Sequence, residues 1–241
     1  MHAYQVTGIW RFFAFVMVEV AGLAFGYDAP LGHLETLQLQ GPGLTAVIGR
    51  NGSGKSTLLH TLAGLLPALE GRISLDNTDS TQLSAQARAT KLAIVLTHPI
   101  RLGGLTAREV VELGRLPHGD TNAEVVEAAL ERLGIAHLAN KPMDAVSDGE
   151  RQKVSIARAL AQDTPILMLD EPTAFLDFEA RTAMMHVLEQ EAQHRCVVFS
   201  THDVHLLQDR PVNVLEVASP GTQWYAGADA QARLQALVQQ A

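Results

Sequence analysis

The residues best suited to chemistry form the run Gly49-Arg-Asn-Gly-Ser-Gly-Lys-Ser56, which has the pattern G-x-x-x-x-G-K-S. Glycines let a backbone wrap a polyphosphate with its N–H groups turned inward, at angles that a Cβ would forbid. A helix that begins within the run adds the positive end of its dipole. The run, called the phosphate loop below, therefore predicts a nucleoside triphosphate site. Lys55 would reach the β- and γ-phosphates, and the Ser56 hydroxyl would complete the shell of a Mg²⁺ ion.

The segments on either side of the phosphate loop support this prediction. Residues 44–49 have the pattern of a short buried strand, and residues 57–66 have the pattern of a helix. A Gly-rich turn without function is the alternative interpretation, and a strand before and a helix after the loop argue against it.

A second candidate is the acidic pair at the end of the apolar run Ile166-Leu-Met-Leu-Asp-Glu171. A fully apolar strand is typical of a parallel sheet, whose ligands bind at the carboxyl edge. Asp170 is predicted to hold Mg²⁺ through water. Glu171 is predicted to orient, or to take a proton from, the water that attacks the γ-phosphate. A solvated acidic turn is the alternative for such a pair standing alone.

A third candidate is the run Val146-Ser-Asp-Gly-Glu150 at the start of a predicted helix. Ser147 is a natural N-cap, and Glu150 follows three residues later, which makes a capping box. This pattern alone predicts only an ordinary helix start. The N-terminus of a helix also binds anions, so a second phosphate contact is available there.

The composition limits the class of protein. The chain has 241 residues, of which 47% are hydrophobic and 18% charged, as in a globular protein with a sizeable core. A net charge of −8 argues against a general nucleic-acid binder. The single cysteine, Cys196, lies in a strand pattern, so we expect a buried thiol, no disulfide or zinc framework, and a reducing compartment, the cytosol.

The order of predicted elements indicates an α/β fold with a mostly parallel sheet. Residues 17–48 read as short strands of a small antiparallel layer. The predicted strands that follow cover residues 71–76, 91–96, 165–170, 196–200 and 212–217. The predicted helices that follow the phosphate-loop helix cover residues 84–88, 107–113, 123–133, 150–162, 178–193, 204–207 and 229–240. The helices between about 98 and 162 form a block inserted into the α/β core.

The N-terminus is predicted to be a tail over residues 1–16, with the first strand at residues 17–25. The uncharged apolar run at residues 12–18 is too short to span a membrane, and no cleavage site of a signal peptide follows it. An anchor that touches the membrane is the alternative, but the basic face typical of such anchors is missing.

From about residue 17 to residue 228 the chain resembles the ATP-binding-cassette (ABC) ATPases. The phosphate loop, the run from Ser147 to Glu150, Asp170-Glu-Pro-Thr173 and Ser200-Thr-His-Asp203 occur in that family's order and approximate spacing. The resemblance implies a P-loop NTPase fold with a mostly parallel core, a small antiparallel β layer and an inserted helical subdomain. It also implies an ATPase domain over residues 17–241 that uses ATP and Mg²⁺.

The resemblance also assigns roles to residues. Tyr27 would stack on adenine, and Ser147 and Gly149 would contact the γ-phosphate held by another subunit. Asp177 lies in the loop that crosses the dimer interface, and His202 would contact the γ-phosphate. The implied catalytic residues are Glu171, His202 and Lys55, and the implied metal ligands are Ser56, Asp170 and Thr97. The implied nucleotide contacts are Tyr27, Gly49, Asn51, Gly52, Ser53, Gly54, Lys55, Ser56, Thr57, Ser147, Gly149 and Asp177. The scattered histidines His60, His137 and His186 receive no function.

The sequence departs from the family pattern in two places. Thr97-His98 stands where the family has a glutamine that reaches Mg²⁺ and the attacking water, and Thr97 keeps an oxygen there with a shorter reach. The signature is Ser-Asp-Gly-Glu rather than the common Ser-Gly-Gly-Gln. Asp148 brings a negative charge near a phosphate site, unless it points away or pairs with a base such as Arg151 or Lys153.

The subgroup that the chain resembles consists of importers of iron–siderophore, haem and cobalamin. The run from Leu105 to His118, which contains Leu-Gly-Arg-x-Pro-His, is the most informative match. The resemblance implies a homodimer of ATPase subunits at the cytoplasmic face of the membrane. Permease subunits would be its partners, and an extracytoplasmic binding protein an indirect one, with no role for nucleic acid. The alternatives are a soluble cassette that acts on nucleic acid or a macromolecular assembly, and a cassette that binds ATP with little hydrolysis.

Overall fold

The computed structural model describes residues 15–98, 103–218 and 221–239. Within those ranges the chain forms ten strands and seven α-helices. The strands are β1 (Phe15–Gly26), β2 (Pro30–Gly41), β3 (Gly43–Ile48), β4 (Glu70–Leu75), β5 (Thr78–Asp79), β6 (Leu92–Val95), β7 (Ile166–Leu169), β8 (Cys196–Ser200), β9 (Asn213–Val217) and β10 (Thr222–Tyr225). The helices are α1 (Lys55–Leu62), α2 (Ala85–Ala89), α3 (Ala107–Glu112), α4 (Ala123–Arg132), α5 (Asp148–Ala161), α6 (Phe178–Glu191) and α7 (Gly227–Val238). Short 3-10 helices cover Ser80–Gln82, Leu113–His118, Ala136–Leu138, Met143–Ala145 and Val204–Leu207.

A six-stranded sheet forms the centre, in the order β10-β9-β3-β8-β7-β6. Every pair in it is parallel except the edge pair of β10 and β9. All residues of β7 and β8 are buried, because elements cover both faces of these strands, which is why their sequences are apolar without alternation. The predicted α/β class with a mostly parallel sheet is confirmed.

A second sheet is antiparallel, in the order β2-β1-β4-β5. In β2 buried leucines such as Leu34 and Leu39 alternate with exposed residues, so one face is buried and the other open to solvent. The buried face packs on α1 and on the central sheet, in a cluster that includes Phe25, Leu58 and Val198. This sheet therefore supports the helix that begins at the phosphate loop.

The helices α3, α4 and α5 lie between β6 and β7 in the chain and pack on one another. The run Leu-Gly-Arg-x-Pro-His holds the end of α5. Arg115 donates from Nη1 to Ala161 O at 2.9 Å, and His118 donates from Nε2 to Gln162 O at 2.7 Å. These cationic or polar groups satisfy the last carbonyls of the helix, which have no partner within it. A Cβ on Gly114 would lie 2.2 Å from Arg158 O, so only glycine allows this approach.

Several predictions about single elements are wrong. Of the strands predicted over residues 17–48 as a small antiparallel layer, β1 and β2 have 12 residues each and are not short, and β3 lies in the central sheet, where it pairs in parallel with β8 and β9. Strand β1 begins at Phe15, two residues before the predicted start of the first strand, and residues 1–14 of the predicted tail lie outside the described residues. The helix predicted over residues 107–113 ends at Glu112 and continues as a 3-10 helix, and the short helix at residues 204–207 is also 3-10.

Strand β10 was not predicted, because its four residues are only partly buried and carry little hydrophobic signal. Residue 240 of the predicted last helix lies outside the described residues. No helix in the described part of the chain has the length and the apolar character needed to cross a membrane.

Candidate functional site

The phosphate loop connects β3 to α1, and its glycines have backbone angles that residues with a side chain rarely adopt. Gly54 is the N-cap of α1 with φ 99°, and a Cβ there would lie 3.2 Å from the Phe25 ring. Gly49 has φ 151°, and a Cβ there would lie 2.4 Å from Val217 O. Because a glycine N-cap has no side chain, the first amides of α1 receive no side-chain cap and stay free for an anion.

Lys55 is buried at the start of α1 and folds back over the loop. Its Nζ donates to Gly49 O at 2.9 Å and to Arg50 O at 3.2 Å. The loop therefore curves around an ammonium group, as the chemistry of a polyphosphate site requires. Asn51 and Gly52 at the crest of the loop are exposed. Ser53 Oγ in the loop and Thr57 directly after it are buried.

Asp170, which directly follows β7, is 1% exposed and holds three hydroxyl groups. Its Oδ1 accepts from Ser56 Oγ at 3.0 Å and from Ser200 Oγ at 2.6 Å. Its Oδ2 accepts from Thr97 Oγ1 at 2.6 Å. The carboxyl ends of β6, β7 and β8 thus meet the first turn of α1 at one carboxylate.

These carboxylate and hydroxyl oxygens suit Mg²⁺, which prefers such oxygens as ligands. Mg²⁺ is usually bound by one or two protein groups together with phosphate oxygens rather than by a protein cage. Ser56 and Asp170 supply two such groups beside the phosphate loop. The described residues contain no cluster of three or more His, Cys, Asp or Glu that would bind a metal ion without a nucleotide.

Glu171 and His202 form a pair at the open side of the same site. Nδ1 of His202 donates to Oε2 of Glu171 at 3.0 Å. Glu171 has φ 50°, a conformation uncommon for a residue with a side chain, and its N–H donates to Ser200 Oγ at 2.8 Å. Ser200 therefore links the backbone of Glu171 to the carboxylate of Asp170. The Glu171 side chain is 14% exposed and that of His202 is 60% exposed, so the pair faces the outside.

His60 also belongs to this site, although no function was predicted for it. Its Nε2 lies 3.7 Å from Asp170 Oδ2. The signal that could have located it is the spacing of four residues from Ser56, which places both side chains on one face of α1.

The signature residues form a separate, self-contained turn at the start of α5. Ser147 Oγ accepts from the N–H of Glu150 at 3.3 Å, and Oε2 of Glu150 accepts from the N–H and the hydroxyl of Ser147 at 2.7 and 2.8 Å. The Ser147 N–H, and then its hydroxyl, lower the pKa of Glu150. Asp148 pairs with Arg151, so the added acid has its own counter-charge. Gly149 allows a close approach of the next loop, since a Cβ there would lie 2.9 Å from Phe175 O.

Two further predicted residues lie at the surface. Asp177 caps α6 by accepting from the N–H of Ala180 at 2.8 Å. Tyr27, in the turn between β1 and β2, is 62% exposed. The structure thus brings together the phosphate loop, Thr97, Asp170, Glu171 and His202. No hydrogen bond in the described ranges joins these to the four residues Tyr27, Ser147, Gly149 and Asp177.

Comparison with known proteins identifies the family. The profile of the ABC transporter family matches residues 35–174. The chain belongs to this family. The cobalamin import ATP-binding protein BtuD of Halobacterium salinarum is 38% identical over 192 residues, which are 77% of this chain and 48% of that protein. The chain thus spans about half the length of this relative.

A second relative of this member of the ABC transporter family is the achromobactin transport ATP-binding protein CbrD of Dickeya dadantii. It is 38% identical over 195 residues, which are 76% of this chain and 72% of the relative. Among solved structures, cbiO1 from Clostridium perfringens, part of the ABC transporter complex cbiONQ, superposes with a TM-score of 0.77 and 26% identity. That match covers 93% of this chain and 92% of cbiO1. The predicted ABC-type fold is confirmed.

Proposed function

We propose that this ABC ATPase hydrolyses ATP with Mg²⁺ and so drives the uptake of a metal chelate, namely an iron–siderophore, haem or cobalamin. The observation that carries the proposal is the hydrogen-bond network around Asp170. It joins a phosphate-binding loop, a place for a metal ion and an acidic residue next to a histidine at one edge of a parallel sheet.

The residues of the site have separate roles in the proposed reaction. Lys55 and the open amides of α1 would bind the phosphates, and Ser56 and Asp170 would hold Mg²⁺. When bound there, Mg²⁺ supplies charge neutralisation for the β- and γ-phosphates. Glu171 orients the attacking water or takes its proton. His202, held by Glu171 at 3.0 Å, reaches toward the γ-phosphate. Catalysis then rests on positioning and on stabilisation of charge.

The site would be completed by a second copy of the chain. Ser147, Gly149 and Asp177 have no hydrogen bond to the phosphate loop within the described chain. Ser147 and Gly149 lie at a helix N-terminus, which suits a γ-phosphate. In a homodimer these residues of one subunit would face the phosphate loop of the other, and exposed Tyr27 would stack on adenine.

A groove of about 380 Å³ supports a permease as partner. It lies between α2, β6 and α5, and it is lined by the exposed Leu65 and Leu96 and by the partly buried Arg158. Leu96 is followed directly by Thr97, whose hydroxyl reaches Asp170 at 2.6 Å. A permease segment in the groove would therefore lie one residue from the metal site, which provides a route for coupling.

The names of the relatives support the substrate class, since they refer to cobalamin import and to achromobactin transport. The ATPase would work at the cytoplasmic face of the membrane, attached through the permease. The extracytoplasmic binding protein would be an indirect partner, and nucleic acid would not take part.

The experiment that tests hydrolysis is phosphate release by the purified chain with Mg²⁺ and ATP, with Glu171→Gln as the control. We expect release by the wild type and almost none by the variant. Equal rates for the two proteins would overturn the proposed mechanism. Co-purification with a membrane protein at native expression tests the transport role, and a purely soluble assembly would contradict it.

A further inference from the structure

His60 presents a buried nitrogen that has no hydrogen-bond partner among the described residues. Its Nε2 is inaccessible to solvent and lies 3.7 Å from Asp170 Oδ2. A buried polar atom without a partner costs about 1–3 kcal/mol. A shift of less than about 1 Å would bring the pair within hydrogen-bonding distance. The arrangement therefore favours a contact that forms when the site rearranges.

The two oxygens of Asp170 are used differently. Oδ1 already accepts from Ser56 and Ser200, which lie on the side of the phosphate loop and of Glu171. Oδ2 accepts only from Thr97 within the described chain, and His60 faces the same oxygen. Because a carboxylate oxygen has two lone pairs, Oδ2 keeps one acceptor position open toward His60.

A metal held at Ser56 and Asp170 would load the two sides of the carboxylate unequally. The Ser56 hydroxyl can give a lone pair to Mg²⁺ while its proton still donates to Oδ1, so the Oδ1 side would carry the metal site together with the hydrogen bonds of Ser56 and Ser200. Among the described residues only Thr97 donates to Oδ2. Another donor on the Oδ2 side would therefore keep the buried carboxylate from rotating.

We propose that His60 is a positioning residue of the ATPase site: its Nε2–H donates to Asp170 Oδ2 and, together with Thr97, holds the carboxylate for Mg²⁺. This inference rests on the proposed function, because it assigns the metal to Ser56 and Asp170. The proposal also explains how the short side chain of Thr97 can orient Asp170, because a second hydrogen-bond donor from α1 contacts the same carboxylate. Donors behind a metal ligand orient it and raise the metal affinity.

Two side chains of different length separate this role from simple packing. The amide nitrogen of glutamine can take the place of Nε2, whereas that of asparagine corresponds to Nδ1 and falls short of Asp170. His60→Gln should therefore keep the contact, and His60→Asn should lose it. His194 is exposed and serves as the control position with His194→Asn.

The test is a titration of the full chain with Mn²⁺ in the presence of a non-hydrolysable ATP analogue, with free Mn²⁺ measured by electron paramagnetic resonance. We expect His60→Asn to weaken Mn²⁺ binding about tenfold, the size typical for a lost donor behind a metal ligand. His60→Gln and His194→Asn should match the wild type. Binding of the analogue without metal should be the same in all four proteins, since His60 is assigned no contact with the nucleotide.

A kinetic measurement gives a second readout. His60→Asn should raise the Mg²⁺ concentration needed for half-maximal phosphate release and leave the rate at saturating Mg²⁺ close to that of the wild type. If His60→Asn does not bind the analogue without metal, His60→Leu takes its place with the same expectation. Equal Mn²⁺ affinity of wild type and His60→Asn would overturn the proposal, and so would a loss in His60→Gln as large as in His60→Asn. The Mn²⁺ titration does not depend on hydrolysis, so it remains decisive if Glu171→Gln proves as active as the wild type.

Discussion

Around Asp170 the side chains of three separate parts of the chain are joined, whereas Ser147 at the start of α5 bonds only within its own turn. Asp170 is buried at 1% exposure, and Ser147 is exposed. Hydrogen bonds that connect distant segments in the interior depend on the whole fold. A capping box depends on four consecutive residues.

The contrast between the buried network around Asp170 and the exposed turn at Ser147 indicates how the proposed site is divided. The part of the proposed site that would bind phosphate and metal is complete within one chain, because its polar groups are buried and must find partners there. The signature half is exposed, and the carboxylate of Glu150 occupies donors of its helix start. A phosphate brought by a second copy would meet a helix start that is already formed.

The largest effect is expected at Glu171. Glu171→Gln should lower phosphate release by about 100-fold or more, the usual contribution of a general base. ATP binding should remain, since the amide keeps the shape of the side chain, and both are measured on the purified chain. A variant that loses ATP binding to the same degree would show that Glu171 supports the fold and not the reaction.

A substitution at Ser200 tests whether the hydrogen-bond network around Asp170 depends on the whole fold. Ser200→Ala removes the hydroxyl that donates to Asp170 at 2.6 Å and accepts from Glu171 N at 2.8 Å. We expect a loss of about 1–3 kcal/mol in the free energy of unfolding, measured by urea denaturation, because two buried groups lose a partner.

Ser155 provides the matched control for Ser200. It is also buried, but its hydroxyl donates to Arg151 O in its own helix at 3.0 Å. Ser155→Ala should cost clearly less, since that carbonyl keeps its helical hydrogen bond. Equal losses of unfolding free energy in Ser200→Ala and Ser155→Ala would contradict the view that hydrogen bonds between distant segments distinguish the network around Asp170.

A substitution at Ser147 tests the capping box at the start of α5. Ser147→Ala should cost about 1 kcal/mol in the free energy of unfolding, the usual value of an N-cap. Ser84→Ala is the control, because Ser84 caps α2 in the same way by accepting from Ala87 N at 3.1 Å. In a Glu171→Gln background, only Ser147→Ala should weaken ATP-dependent dimerisation, measured by sedimentation. Similar dimerisation of both variants would remove Ser147 from the interface.

The smallest effect is the pH dependence of the capping box. The pKa of Glu150 is lowered in the folded chain by the N–H and the hydroxyl of Ser147. Its contribution to stability is therefore present above the unfolded pKa and is lost as the pH falls through the lower folded pKa. Wild type and Glu150→Gln should differ in thermal midpoint at neutral pH and converge in acid. A difference that persists in acid would rule out the charge of Glu150 as its source.

The strong local patterns in the sequence were sufficient to predict much of the fold. The phosphate loop, the apolar strand before Asp170 and the capping box at Ser147 each depend on neighbours in the chain, and the structure contains all three. The edge strand β10 and the 3-10 helix after α3 were missed, because short, half-buried segments carry little periodic signal.

By itself the sequence determined the α/β order, the loop for a polyphosphate and the family, since each follows from residue types at fixed spacing. Only the tertiary structure decided that Thr97 bonds to Asp170, that His60 faces the same carboxylate, and that Arg115 and His118 close the end of α5. These contacts join residues 44 to 110 positions apart. Their cause is the packing that brings the carboxyl ends of several strands to one helix, and no local pattern encodes it.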